Sequence, residues 1–235
     1  MFSRKTPNSA AHSLRVLAAL LAYPDTTLRG HLSEMSDLLR AERAVSLARR
    51  LELDALMDSL RRGDTLQVQA DYVELFDRGR STSLHLFEHV HGDSRERGPA
   101  LIDLGQTYAS AGLYLAEGEL PDYLPAVLEF VSTQPPEQAR AFLAEMAHIF
   151  NAIFGALQAR QSAYASVLGA LLELAGESAL PTHYAHKPAA EPTLDESWAE
   201  PVVFDGCSSK GQAKPGQPQP IHIHRNVSAA QGVQP

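Results

Sequence analysis

An all-α fold, a single helical bundle with a C-terminal tail, is what this sequence predicts, and three observations predict it. Apolar residues recur at helical spacing up to about residue 176, strand signals are almost absent, and proline and glycine punctuate the helical runs. With 44% hydrophobic and 20% charged residues, the 235-residue chain carries enough apolar material to bury a sizeable core. The β-like runs Val202-Val203-Phe204 and Ile221-His222-Ile223-His224 are too short and isolated to build a sheet. No internal repeat is visible.

The first helix carries Leu14, Leu17, Ala18 and Leu21 on one face and closes before Pro24, whose ring cannot continue it. Its apolar run at 16–22 follows Arg4 and Lys5, as in a secretion signal. The run is short, however, and no small-x-small cleavage pattern follows it, so an amphipathic core helix is the expectation. Asp25 and Thr26 cap a second helix with Leu28, Leu32, Met35 and Leu39. A third runs through Val45, Leu51, Met57 and Leu60 to Gly63, and Asp64 caps a fourth bearing Leu66, Tyr72, Val73 and Phe76. After a polar break at 79–82, residues 83–91 read as a helix, and Pro99 opens another that runs towards Gly112. Pro121 and Pro125 bracket a short helix ending near Phe130. One long helix from Pro135-Pro136 carries Phe142, Met146, Ile149, Ile153 and Leu157, and a last one spans about 162–176.

The predicted domain is therefore 1–176, with a flexible tail at 177–235. Eight of the fifteen prolines lie in that tail, and 210–220 is too rich in Lys, Gly, Gln and Pro to pack. Leu194, Trp198 and Val202 share a stripe there, so the segment 193–207 either docks on the bundle or stays solvated. The net charge of −8 argues against nucleic-acid binding, which needs a basic surface, and suits a basic partner. The lone cysteine, Cys207, forms no internal disulfide, and no apolar run is long enough to span a bilayer. A cytoplasmic protein with no direct membrane insertion is expected.

Catalytic signatures are weak. His85-Leu86-Phe87-Glu88-His89 matches an inverted zincin pattern, in which two histidines on one helical face hold zinc and the acid activates water. Three fixed positions in five carry little specificity in a helical chain with ten histidines, so a zinc hydrolase is the lesser reading. His183, His186, His222 and His224 form further pairs in or near the tail. Neither a phosphate-binding glycine loop nor a nucleophile elbow occurs. The sequence thus predicts no enzyme, no cofactor and no resident metal. A generic helical scaffold remains the other alternative. What stands out instead is Tyr72, Glu74, Leu75, Phe76 and Asp77, an aromatic–apolar–acidic mixture able to line a groove for an amphipathic helix, echoed by Asp122, Tyr123, Glu129 and Phe130. From pattern alone, core aromatics beside solvated acids fit these segments better.

At Tyr72-Val-Glu-Leu-Phe-Asp-Arg-Gly-Arg80 the chain resembles the NarJ family, the delta-chain or molybdenum-cofactor assembly chaperones of respiratory nitrate reductase, within the TorD-like redox-enzyme maturation chaperones. The likeness continues through 81–98 and Glu119-Leu-Pro-Asp-Tyr-Leu-Pro-Ala-Val-Leu-Glu-Phe130, is met earlier at Leu20-Leu-Ala-Tyr-Pro-Asp25, and fades beyond Cys207. It implies a helical chaperone that binds the N-terminal segment of the molybdenum-containing catalytic subunit of nitrate reductase until the cofactor is inserted and the enzyme docks at the membrane. On that reading the peptide-binding residues are Tyr72, Glu74, Phe76, Asp77, Leu84, Phe87, Asp122, Tyr123, Leu124 and Glu129. The apolar members, with Leu128, supply contact or the core beneath it, and Glu74, Asp77 and Glu129 pair the client's basic residues. Arg78, Arg80, Arg95 and Arg97 are expected to tie the loops at Gly79 and Gly92 to neighbouring acids.

Overall fold

The computed structural model describes residues 9–92 and 94–179, and among them every regular element is helical apart from one isolated antiparallel bridge, His85 with Tyr123. Helix α1 (Ala11–Leu21) is buried on most sides through Leu14, Val16, Leu17, Ala18, Leu20 and Leu21, so the apolar run at 16–22 is core. Its N-terminus has no local side-chain cap. Glu42, at the end of α2 (Thr26–Glu42), supplies one, accepting the backbone N–H of His12 at 3.1 Å and of Ser13 at 2.6 Å. Asp25 caps α2 by accepting from Leu28 N at 2.7 Å, as expected.

Ser46 caps α3 (Leu47–Arg62), and Glu173 in turn holds Ser46. The far end of α3 is closed from α2: the Arg29 guanidinium donates to the carbonyls of Leu60 (2.9 Å), Gly63 (2.5 Å) and Arg61 (3.4 Å). A cation among the last carbonyls also opposes the helix dipole. Asp64 then caps α4 (Thr65–Phe76), accepting from Leu66 N and Gln67 N.

A 3-10 turn at Arg80–Thr82 follows, then α5 (Leu86–Val90), α6 (Arg97–Ser110) and α7 (Leu124–Ser132). Here one expectation is corrected. The helix expected over 83–91 is confined to Leu86–Val90, because Leu84 O accepts from Leu124 N at 2.8 Å and Leu86 N donates to Asp122 O at 3.0 Å. These cross-chain bonds hold His85 in an extended conformation. The short helix expected to end near Phe130 is α7, with Pro125 in its first turn, where the missing N–H is no loss.

The long helix expected from Pro136 is two, α8 (Pro136–Glu145) and α9 (Ala147–Ala159), bent by 60° at Met146. Both pack on α10 (Ala165–Ala175), an 11-residue helix about 16 Å long. A straight rod through both halves would be roughly twice that length and would leave α10 at one end. Apolar spacing continues across the bend, so periodicity does not reveal it.

Helix α10 is the centre of the bundle, packed by α9, α8, α3 and α1, with every residue from Ser166 to Leu172 buried. Gly169 is what allows the Arg49 guanidinium to lie across it, since an added Cβ would stand 2.4 Å from Arg49. Gly176 ends the helix at φ +80°. No single helix among the described residues is long and apolar enough to cross a membrane. The segment 193–207, Cys207 and the histidines at 183, 186, 222 and 224 lie outside the described residues.

Candidate functional site

The zincin pattern does not assemble. His85 precedes α5 in extended backbone while His89 sits inside it, so the two do not share a helical face. Their nitrogens are engaged elsewhere: His85 Nδ1 lies 3.3 Å from Asp122 Oδ1, and His89 Nε2 lies 2.8 Å from the Ser83 carbonyl. Glu88 faces Arg97 at 3.4 Å. Among the described residues no group of three or more His, Cys, Asp or Glu side chains is placed to hold a metal.

The same contacts reveal Asp122 as an internal anchor. It is fully buried, its Oδ2 accepts from Phe87 N at 3.2 Å, and the Arg97 guanidinium approaches Oδ2 to 3.7 Å. Its carboxylate raises the His85 pKa above 6.5, chiefly through the hydrogen bond, with burial of the imidazole opposing. One carboxylate therefore organises the start of α5, the start of α6 and the entry to α7. Asp122 was expected at the surface among the peptide-binding groups; the structure corrects this, because with α6 in place its oxygens face His85, Phe87 N and Arg97 inside the fold.

Tyr72, Phe76, Leu84 and Leu124, with Leu128, are likewise core residues. Tyr72 donates to the Leu21 carbonyl at 2.7 Å, and its ring meets Phe76, Tyr23 and Tyr164 at centroid distances of 4.9, 5.7 and 6.2 Å. Burial raises the pKa of its hydroxyl well above the usual tyrosine value. These five are the floor under the expected groove, and client contact through them would be indirect.

The surface belongs to others. Phe87 and Tyr123 are half-buried, and Glu74, Asp77 and Glu129 are exposed. Tyr123 stacks beside His85 at 5.4 Å. Burial raises the pKa of its hydroxyl; hydrogen bonding with Tyr72 opposes that rise, while the charges of Asp77 and Glu119 add to it. Asp77, Tyr123 and Glu119 thus form an acidic–aromatic patch over the Tyr72–Phe76 floor, while the Phe87 ring packs edge-on against His91 at 5.5 Å. Two expected residues stand on flanking grooves instead. Glu74 lines one of about 530 Å³ on the outer face of α4 with Tyr23, Leu66 and Val73, and is itself paired with Arg78 at 2.9 Å. Glu129 lines another of about 410 Å³ with Leu113, Tyr114, Leu115 and Phe130.

Sequence reasoning missed Glu119, Tyr114 and the exposure of Leu66. Tyr114 (83% exposed) and Leu66 (77%) are the most exposed large apolar side chains among the described residues. Tyr114 lies where glycines at 112 and 118 adopt positive φ, a loop signature legible in the sequence. The arginine expectation is met in two cases: Arg78 pairs with Glu74, and Arg97 with Glu88 and Asp122.

Known proteins resemble this chain in sequence and in fold. The chain is 40% identical over 196 residues to the nitrate reductase molybdenum cofactor assembly chaperone NarJ of Escherichia coli K12, covering 81% of this chain and 83% of that protein. It is 31% identical over 159 residues to a NarJ chaperone of Bacillus subtilis, covering 66% and 84%. Its fold matches the crystal structure of a redox enzyme maturation protein from Archaeoglobus fulgidus with a TM-score of 0.54 at 18% identity, over 75% of this chain and all of the other. NarJ and NarW of Escherichia coli and NarJ of Bacillus subtilis carry the names of assembly chaperones, not of catalysts. Residues 28–169 match the model of the nitrate reductase delta subunit family, and to that family this chain belongs.

Proposed function

We propose that this protein is a system-specific assembly chaperone of a respiratory nitrate reductase, holding the N-terminal segment of the molybdenum-containing catalytic subunit while the cofactor is inserted and before the enzyme docks at the membrane. The observation that carries the binding mode is the patch of Asp77, Glu119 and Tyr123 over a packed aromatic floor. Its carboxylates have no ion pair among the described residues, so they are available to lysines and arginines of a client. A rigid floor lets the rim bind without reordering the core, which keeps the entropic cost of association low. Affinity comes from burying the client's apolar face, while the acids set register and on-rate. The work is done in the cytoplasm, where the client is still unassembled.

Calorimetry with a synthetic peptide copying the client's N-terminal segment tests this. Saturable binding with a negative ΔCp is expected, the mark of apolar burial. Absence of binding, or failure to recover the catalytic subunit with the tagged protein from cells, would overturn the reading.

A further inference from the structure

Helix α6 is attached to the bundle in an unusual way. Of its 14 residues only Tyr108 is buried, and Ile102 is 61% exposed. Its N-terminus has no side-chain cap. Gly98 and Gly105 lie within it, and a Cβ added at either would meet nothing within 4 Å. Packing therefore does not ask for glycine at these positions, yet Gly105, in the helix interior, weakens it by about 1 kcal/mol relative to alanine.

Three side chains hold α6 down. Tyr108 donates to the Pro121 carbonyl at 2.8 Å and stacks on Phe130 at 4.7 Å, and Leu104 rests against the core. Arg97 reaches Glu88 at 3.4 Å and Asp122 at 3.7 Å, and its Nε is buried without a partner. The first distance is at the outer limit of a hydrogen bond and the second beyond it, so Arg97 fits its acids poorly. A helix of low intrinsic stability, anchored by an ill-fitting cation, is an element suited to local release. Its departure would uncover the carboxylates of Glu88 and Asp122 beside the Tyr123 patch, and the ring of Phe130.

We propose that α6 is an autoinhibitory strap: in the unloaded protein Arg97 stands on Glu88 and Asp122, in the place that a basic residue of the client's N-terminal segment takes when it binds. The inference rests on the peptide-binding reading above and adds its regulation. Client binding and strap closure then compete for the same carboxylates, and the apparent affinity falls by the fraction of molecules that are open.

The test uses the full chain and the same synthetic N-terminal peptide. Arg97→Gln should bind it about tenfold more tightly than wild type, the factor expected when roughly nine molecules in ten are shut. Tyr108→Phe, which loses the hydroxyl contact at the other end, should shift affinity in the same direction and serves if Arg97→Gln does not fold. In wild type, amides of 97–110 should exchange faster when peptide is added while those of α10 stay protected. Unchanged or weaker binding by a folded variant, or slower exchange over 97–110 in the complex, would overturn the strap and leave the chaperone reading standing. If wild type binds no peptide, the reading of the site falls and the strap falls with it.

Discussion

Replacing Asp122 is the sharpest probe of how the site is built. Asp122→Ala removes the acceptor of Phe87 N and strips His85 and Arg97 of their shared anion, all beside a fully buried position. Breaking a buried charged contact by deleting one partner typically costs about 3–5 kcal/mol, a large share of an ordinary domain's stability. Asp122→Asn keeps the shape and an acceptor for Phe87 N, so it should cost less, about 1.5–3 kcal/mol. The same pair makes a pH prediction. Because Asp122 raises the folded-state pKa of His85 above 6.5, the stabilisation is complete below pH 6.5 and is lost as pH rises through the raised value. Urea denaturation at intervals from pH 5.5 to about 9 should show this decline in wild type and a flatter profile in Asp122→Asn. An Asp122→Ala protein within 1 kcal/mol of wild type, or an Asp122→Asn profile parallel to it, would refute the anchor.

Other expectations follow from the same contacts. Arg29→Met strands three carbonyls at the end of α3 and should lower stability by about 1.5–3 kcal/mol in denaturant titration, with the unfolding slope unchanged. Phe150→Ala empties a fully buried site on α9 and should cost about 3–5 kcal/mol by the same measurement. Gly176→Val forces a β-branched residue to φ +80° and into the Arg140 guanidinium, so its melting temperature should fall by several degrees, about 1–2 kcal/mol or more. Charge reversal at Asp77 and Glu119 together should weaken binding of the client peptide and flatten its salt dependence, with stability unaltered; unchanged affinity would remove these acids from the site.

The helices were legible because their caps are local. Asp25 and Asp64 stand one residue before the helices they start, and α10 ends on the predicted glycine. What escaped the sequence are contacts between distant segments. The two-residue pairing of 84–86 with 122–124 shortens α5 and takes His85 off the helix, and neither segment alone predicts it. The bend at Met146 keeps both α8 and α9 on α10, a long-range packing that periodicity in α8 and α9 cannot register. In the site, the mixture at 72–77 was recognised, but a four-residue pitch sends Tyr72 and Phe76 inward while Asp77 turns outward. Asp122 reads as one more surface acid until its backbone and side-chain partners, 35 to 37 residues away, are seen.

Several helices borrow their ends from one another. Glu42 at the tail of α2 closes the head of α1, Arg29 from within α2 closes the tail of α3, and Glu173 of α10 steadies the head of α3. Melting α2 would leave open backbone on both α1 and α3, and melting α10 would do the same to α3, so these four helices should come apart together rather than fray in turn. Peptides cut from this core should be disordered in water, and truncations inside it should yield no stable fragment. The helix over 97–110 neither lends nor receives such an end, so its opening would leave none of those four uncapped.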